Sequence, residues 1–260
     1  MKANYHTHTP RCKHADGPDE LYVQTAIQEG FTSLGFADHT PWPYQSGYVS
    51  GIRMDVSQLP DYVSCIRALK EKYSSQIKLR IGLECEYFPC YLSWLKEAKE
   101  ALGLDYLIFG AHFIGSDEDS PYMGSACADD KVLSSYTDMC IEGMNSGMYV
   151  YLAHPDLYMR HRKGFDMASR SAARAICECA LANNMPLEYN LNAYVIRDWE
   201  HGGFPRRDFW EVAAQMGNRV IIGYDAHQPS LLQNTQAVEE VRALLAGIGI
   251  TPMDCLDMDK

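Results

Sequence analysis

Short apolar segments alternate with longer helical segments along the whole chain, and this alternation restricts the fold more than any other feature. Seven apolar segments of strand length occupy residues 3–8, 32–39, 78–86, 105–112, 148–154, 185–190 and 219–227. Helical segments are predicted near residues 18–30, 59–74, 91–103, 131–147, 169–184, 205–217 and 229–247. Strict strand–helix alternation predicts a parallel sheet. Since no linker rich in Pro, Gly or Ser divides the chain, we expect one α/β domain over residues 1–260, folded as a closed or nearly closed barrel.

Composition and charge narrow the classes of function. The formal net charge is −11, whereas a nucleic-acid-binding surface needs a basic stripe. No apolar run reaches the length of about 18 residues that a transmembrane span needs, and the first residues lack the apolar stretch of a signal peptide. The nine cysteines include no CxxC pair, which favours reduced thiols in the cytoplasm over a disulfide framework.

Ionisable side chains cluster where the predicted strands end. The carboxyl ends of all strands in a parallel barrel lie on one face, where active sites are built, so side chains far apart in sequence would converge there. Six of the seven segments end in, or lead into, side chains that can bind a metal: His6 and His8, Asp38 and His39, Glu84 and Glu86, His112, His154, and Asp225 and His227. The segment 185–190 ends in Asn190 instead.

Spacing within these segments supports a shared metal site. Residues i and i+2 of a strand point to the same side, so His6 and His8 can face one ion, as can Asp225 and His227. Glu84 stands among apolar neighbours, where a lone carboxylate is costly unless it is paired or binds a metal. Each motif alone would also fit a hydrogen-bonded loop histidine or a helix cap. Only the whole set points to metal binding.

The predicted ligands are imidazole nitrogens and carboxylate oxygens, which suit Zn²⁺, Mn²⁺ or Fe²⁺ better than Ca²⁺. Nine candidates exceed the needs of one ion: His6, His8, His14, His39, Glu84, His112, His154, Asp225 and His227. We therefore expect two or three divalent ions, with a carboxylate bridging some pair. Cys12 is predicted to be a loop thiol, and Glu86 to orient a ligand rather than to bind an ion.

The combination of motifs resembles the polymerase-and-histidinol-phosphatase (PHP) superfamily. The resemblance rests on HTH at 6–8, DH at 38–39, the histidine of AHP at 153–155 and DAH at 225–227. Its histidinol-phosphatase branch is matched by HTHTPRCKHADGPDELYVQTAIQEGFTSLGFADHTP, IRM at 52–54, LPDYVSCIRALKEKY at 59–73, IGLECEYFP at 81–89 and AHPDL at 153–157. The resemblance covers nearly the whole chain. It implies a distorted (β/α)7 barrel with a metal site at the C-terminal ends of the strands.

The resemblance also implies how three ions would be held. The ligands of the first ion would be His6, His8, Glu84 and Asp225. Glu84 would bridge to a second ion, held by His112 and His154. The ligands of the third ion would be His14, His39 and His227. Asp38 would orient a ligand histidine, and the catalytic residues would be Asp225, His227 and Glu84, acting through the water that the ions activate.

A phosphate group needs further cations, and the planar guanidinium of arginine suits it. Arg160 and Arg197 follow predicted strand ends, and the resemblance favours both as phosphate-binding residues, whereas Arg206 and Arg207 are expected at the surface. Three segments depart from the pattern of the branch, namely 114–123, 158–165 and 187–194. They lie beside the expected pocket, so the identity of the alcohol part of the substrate stays open.

The resemblance implies a metal-dependent phosphomonoesterase that hydrolyses L-histidinol phosphate in histidine biosynthesis, and the cysteine content favours a cytoplasmic location. Its substrate would be a small phosphorylated molecule, with neither nucleic acid nor a membrane as partner. Two alternatives stay open. One is a phosphatase or exonuclease-type phosphoesterase that acts on a different ester with the same metal cluster. The other is a non-catalytic, metal-binding regulatory protein. The oligomeric state is not indicated.

Overall fold

The computed structural model describes residues 2–196 and 203–258, and its centre is a sheet of seven parallel strands in sequential order. The strands are β1 Ala3–Asn4, β2 Ser33–His39, β3 Lys78–Cys85, β4 Tyr106–Gly110, β5 Leu152–Ala153, β6 Leu187–Asn190 and β7 Val220–Gly223. A parallel bridge between Thr7 and Ala226 joins the segments that follow β1 and β7. The sheet therefore closes into a nearly complete barrel, which confirms the predicted (β/α)7 architecture.

Helices follow the strands and pack around the sheet. In the described part of the chain they are α1 Asp19–Gln28, α2 Leu59–Lys72, α3 Leu92–Leu102, α4 Met123–Ala126, α5 Asp130–Asn145, α6 Met167–Ala182, α7 Leu191–Ile196, α8 Arg207–Met216 and α9 Thr235–Gly247. The short helices α4 and α7 were not predicted, because so few residues show no helical period. The predicted helix over 229–247 is divided into a 3-10 turn at Pro229–Gln233 and α9.

Two apolar layers surround the strands. The larger layer lies between the sheet and the helices, and the smaller one fills the barrel interior with Tyr5, Ala37, Tyr106, Ile108, Tyr151, Ala153 and Ile221. The Tyr106 hydroxyl donates to the carbonyl of Tyr5 at 2.7 Å. A Cβ atom at Gly35 or Gly82 would clash with the Tyr106 ring, so glycine is required beside it. With the interior filled in this way, the polar side chains collect at the carboxyl ends of the strands.

None of the described helices combines the length with the apolar character that crossing a bilayer requires.

Candidate metal centre

All nine predicted ligands lie together at the carboxyl end of the barrel, and overlapping groups among them could each hold a metal ion. Most of them are buried, whereas His14 is exposed at the rim. Two members have left-handed backbone conformations, His154 with φ 32° and Asp225 with φ 49°. Such conformations in non-glycine residues cost energy and are concentrated at functional sites. Two side chains of the centre are therefore placed by strained backbone.

The first group consists of His6, His8, Glu84 and Asp225. Oδ1 of Asp225 lies 3.3 Å from Nε2 of His6 and 3.0 Å from Nε2 of His8. Oε2 of Glu84 lies 3.4 Å and 3.6 Å from the same two nitrogens. Both nitrogens are buried and have no hydrogen-bond partner among the described residues. Orphaned imidazole nitrogens facing two carboxylates fit a divalent cation.

Glu84 also faces a second group through its other oxygen. Oε1 lies 2.9 Å from Nε2 of His154 and 3.3 Å from Nε2 of His112. These two imidazole nitrogens are 3.2 Å apart. Two ring nitrogens that face each other need a proton or a cation between them. The two oxygens of Glu84 thus face separate groups of histidines.

The third group lies at the rim and consists of His14, His39 and His227. Nε2 of His227 lies 3.0 Å from Nε2 of His14, again with two ring nitrogens facing each other. His39 connects this group to the other two, because its Nδ1 lies 3.0 Å from Oε2 of Glu84, which faces both of them. The three groups therefore form one continuous centre rather than three separate sites.

The protonation states of several members suit metal binding. Burial, followed by the nearby charge of His8, lowers the pKa of His39 to about 4 and that of His227 to about 3, so both rings are neutral at pH 7. Burial opposes ionisation of Glu84 and Asp225, but the surrounding histidines hold the pKa of each carboxyl well below its usual range. Burial opposes protonation of His6 and His8, but Glu188 beside His6 and Asp225 beside His8 raise the pKa of the two rings well above the usual range. A divalent cation would displace these protons and leave ionised carboxylates with neutral imidazoles, a donor set for transition-metal ions and zinc.

Three further carboxylates contact the outer ring nitrogens of the ligands. Oδ1 of Asp38 lies 3.4 Å from Nδ1 of His8. Oε1 of Glu86 lies 3.1 Å from Nδ1 of His112, and Oε2 of Glu188 lies 2.8 Å from Nδ1 of His6. Such contacts fix the tautomer and orientation of ligand histidines. Asp38 and Glu86 therefore lie in positions consistent with the orienting role that the sequence suggested.

Glu188 and Arg53 were missed at the sequence level. Glu188 carries the same signal that identified Glu84, an acidic residue within a buried strand. Arg53 is 1% exposed, and its guanidinium contacts both oxygens of Glu86 at 3.0 and 3.1 Å. Burial opposes ionisation of Glu86, but Arg53 and then His112 hold its pKa well below the usual range. The segment IRM gives no indication that Arg53 is buried, because the carboxylate that pairs with it, Glu86, lies on a distant part of the chain.

A cavity of about 640 Å³ opens above the metal centre. Its wall includes the apolar side chains of Ile52, Phe113 and Phe204, together with Arg160 and Tyr122. Nη1 of Arg160 donates to the Tyr122 hydroxyl at 3.2 Å, and the guanidinium lies over the Tyr122 ring. Arg160 is therefore close enough to meet a ligand bound at the centre.

Of the other arginines that the sequence singled out, two pair with carboxylates away from the cavity wall. Arg197, the second predicted phosphate-binding residue, lies outside the described residues. Arg206 pairs with Asp208 at 2.9 Å, and Arg207 pairs with Glu211 at 2.8 Å. Neither Arg206 nor Arg207 is among the residues that line the cavity.

Comparisons with known proteins agree with this arrangement. The family model of the PHP domain matches residues 4–192. A protein of Deinococcus radiodurans named "probable histidinol-phosphatase" is 28% identical over 243 residues, which cover 91% of this chain and 91% of the relative. The histidinol-phosphatase of Bacillus subtilis is 26% identical over 255 residues, which cover 88% of this chain and 94% of the relative.

One solved structure extends the comparison to three dimensions. The histidinol phosphate phosphatase of Lactococcus lactis, in complex with zinc, L-histidinol and phosphate, superimposes with a TM-score of 0.73 and 20% identity. The superposition covers 97% of this chain and 95% of the other. At this identity the likeness establishes the fold.

Proposed function

The chain belongs to the PHP domain family, and on that premise we propose that it is a metal-dependent phosphomonoesterase that hydrolyses L-histidinol phosphate to L-histidinol and phosphate. The observation that carries the proposal is the position of Glu84. Its two oxygens face separate groups of histidines, 2.9 Å from Nε2 of His154 and 3.4 Å from Nε2 of His6. A carboxylate shared between adjacent cation sites is the arrangement of two-metal phosphoesterases.

Two or three divalent ions, Zn²⁺, Mn²⁺ or Fe²⁺, would occupy the centre. His6, His8 and Asp225 would hold one ion, His112 and His154 a second, and Glu84 would bridge the two. The third would be held by His14, His39 and His227. When bound, such ions supply a nucleophile at neutral pH and offset the negative charge of the phosphoryl oxygens.

The protein side chains contribute binding and orientation. Arg160, whose guanidinium lines the cavity, would bind phosphoryl oxygens with two parallel hydrogen bonds. Arg197 would provide a second such contact. Asp38 and Glu86 would keep the rings of His8 and His112 in the orientation that exposes Nε2 to the ions. In the net reaction, water adds to phosphorus, the ester P–O bond breaks, and the alcohol leaves with a proton.

The identity of the alcohol is supported by the relatives. The Lactococcus lactis protein carries zinc, L-histidinol and phosphate in its solved structure, and two relatives that match about nine-tenths of this chain are named for the same activity. The apolar wall formed by Ile52, Phe113 and Phe204 would enclose the organic part of the ester. We place the activity in histidine biosynthesis and, from the cysteine content, in the cytoplasm.

A second candidate is a phosphatase for a different small ester. It is favoured by the three segments that depart from the branch pattern, because these segments contribute Tyr122, Arg160 and Asn192 to the cavity wall. The metal centre would be the same in both cases, since its ligands come from other segments. Only the recognition of the alcohol would differ.

The deciding experiment measures phosphate release by Zn²⁺- or Mn²⁺-reconstituted protein. L-histidinol phosphate is compared with glycerol 3-phosphate, O-phosphoserine and p-nitrophenyl phosphate. His8→Ala serves as the inactive variant, and Asn218→Ala as a buried substitution outside the centre. A preference of orders of magnitude for histidinol phosphate supports the proposal. Equal, slow hydrolysis of all esters favours the second candidate, and bound metal without any turnover favours a non-catalytic metal-binding protein.

A further inference from the structure

Two polar side chains of β6, Glu188 and Asn190, are buried beside the metal centre although neither is a predicted ligand. Both are 0% exposed. They are two residues apart on one strand, so their side chains point to the same face. β6 is also the strand whose end carries no predicted ligand. Buried polar groups are costly unless they are satisfied, so the partners of these two side chains indicate what they do.

Glu188 has a partner on each oxygen. Oε2 lies 2.8 Å from Nδ1 of His6, and Oε1 accepts a hydrogen bond from Nδ2 of Asn190 at 3.0 Å. The neighbouring strand makes room for the carboxylate, because a Cβ atom at Gly223 would clash with it. A carboxylate on Nδ1 keeps the proton of the ring there. The other nitrogen of His6, which faces Asp225 at 3.3 Å, is then left for a cation.

Asn190 connects the same carboxylate to a metal ligand. Its Nδ2 also donates to Oδ2 of Asp225 at 3.1 Å, while its Oδ1 accepts from the backbone N–H of Ala193 at 2.8 Å. The amide orientation follows from these partners, since only the nitrogen can donate to two carboxylates. The bond to Oδ2 leaves Oδ1 of Asp225 directed at His6 and at His8. It also restrains a residue whose backbone is in the left-handed region.

We propose that Glu188 and Asn190 form one positioning unit that sets the affinity for the ion held by His6, His8, Glu84 and Asp225. Glu188 orients His6, Asn190 orients Asp225, and the hydrogen bond between them couples the two ligands. Neither residue lies among the ligands themselves. The inference rests on the proposed function only in that the centre binds divalent ions, and it is independent of which ester is hydrolysed.

The test compares zinc binding by Glu188→Gln, Asn190→Ala and the double variant. Glutamine has the shape of glutamate but a single acceptor oxygen, which can serve His6 or Asn190 but not both. Asn218→Ala is the matched control, because Asn218 is also buried and its Nδ2 donates to the carbonyl of Cys177 at 2.9 Å, away from the centre. Affinity is measured by competition with a chromophoric chelator, and zinc content by elemental analysis.

We expect both single variants to bind one zinc ion about 10- to 100-fold more weakly than the parent while the remaining ions stay bound. The zinc affinity of the double variant should be only slightly below that of the weaker-binding single variant, since the effects of residues that act as one unit do not add. Asn218→Ala should keep the parent affinity. Circular dichroism establishes that each variant is folded, and if Asn190→Ala is unfolded, the isosteric Glu188→Gln decides.

Folded variants that bind every zinc ion within about twofold of the parent would overturn the proposal, as would an equal loss in Asn218→Ala. The outcome is separable from the proposed function. If the parent protein binds zinc but releases phosphate from no ester, the phosphatase assignment fails, while the zinc affinities still decide the role of Glu188 and Asn190.

Discussion

Nε2 of His8 lies 3.0 Å from Oδ1 of Asp225, which brings a residue after the first strand against one after the last. The contact occurs where the barrel closes, because the backbone N–H of His8 donates to the carbonyl of Ala226 at 3.0 Å. The contacts that close the sheet therefore also bring these two side chains of the centre together. A change that opened this seam would separate ligands that come from opposite ends of the chain.

Removal of metal should abolish activity and lower thermal stability. The ring nitrogens of His112 and His154 face each other at 3.2 Å beside buried Glu84, an arrangement that a bound cation would stabilise. Ions present at about 1,000 times their dissociation constant stabilise a fold by about 4 kcal/mol. We expect chelation to lower the melting temperature by roughly 8 °C and zinc to restore it. Calorimetry with and without chelator measures this shift, and an unchanged melting temperature would contradict a metal-filled centre.

Substitution of Arg160 should weaken phosphate binding. A hydrogen bond to a charged group contributes about 1.5–3 kcal/mol, so Arg160→Ala should lower kcat/KM by roughly 10- to 100-fold. The kcat/KM of Arg160→Lys should lie between those of the parent and Arg160→Ala, because an ammonium keeps the charge but lacks the planar fork of a guanidinium. The control is Arg207→Ala, which removes only the exposed pair with Glu211. Steady-state kinetics with inorganic phosphate as product inhibitor tests the prediction, and identical kinetics for Arg160→Ala and the parent would refute it.

Breaking the buried pair of Arg53 and Glu86 should destabilise the protein. Arg53→Met leaves the Glu86 carboxylate buried without its cation, which typically costs about 3–5 kcal/mol. Urea unfolding of metal-free protein measures the loss. Arg207→Met, at a surface pair, should cost less than about 1 kcal/mol. Adding Glu86→Leu to Arg53→Met should recover part of the stability that Arg53→Met loses, because no unpaired charge then stays buried. Equal stability of the Arg53 and Arg207 variants would show that the buried pair is energetically unimportant.

Stability should depend on pH through Asp156. Burial raises the pKa of this carboxyl from 3.8 to about 7, and Oδ1 has no hydrogen-bond partner among the described residues. The folded protein therefore retains a proton that the unfolded chain loses, so this contribution is complete below about pH 4 and disappears as the pH rises through about 7. Asp156→Asn keeps an acceptor for the indole N–H of Trp210 and cannot ionise.

The expected result for Asp156→Asn is a gain in unfolding free energy over the parent that grows between about pH 4 and pH 7 and stays constant at higher pH. Urea unfolding of metal-free protein at several pH values measures this difference. Parallel profiles for the two proteins would mean that Asp156 does not titrate in this range.

The sequence by itself determined the parallel barrel and the set of ionisable side chains that collects at its carboxyl end. Strand-length apolar segments that alternate with helices leave few arrangements other than a parallel sheet. Once the sheet is parallel, the carboxyl ends share a face, and His6, Glu84, His154 and Asp225 must approach one another. This much follows from local pattern and from one geometric rule, so it could be stated without knowing any contact.

The tertiary structure alone decided which groups touch. Glu188 against His6, Arg53 against Glu86 and the left-handed backbone at Asp225 depend on side-chain rotamers and on the course of loops. Local sequence contains no information on these, because each partner lies on a different strand or loop and its position is set by the packing of the whole barrel. The short helix α7 was missed for a different reason, because its cap by Asn190 is local but its six residues are too few to show a helical period.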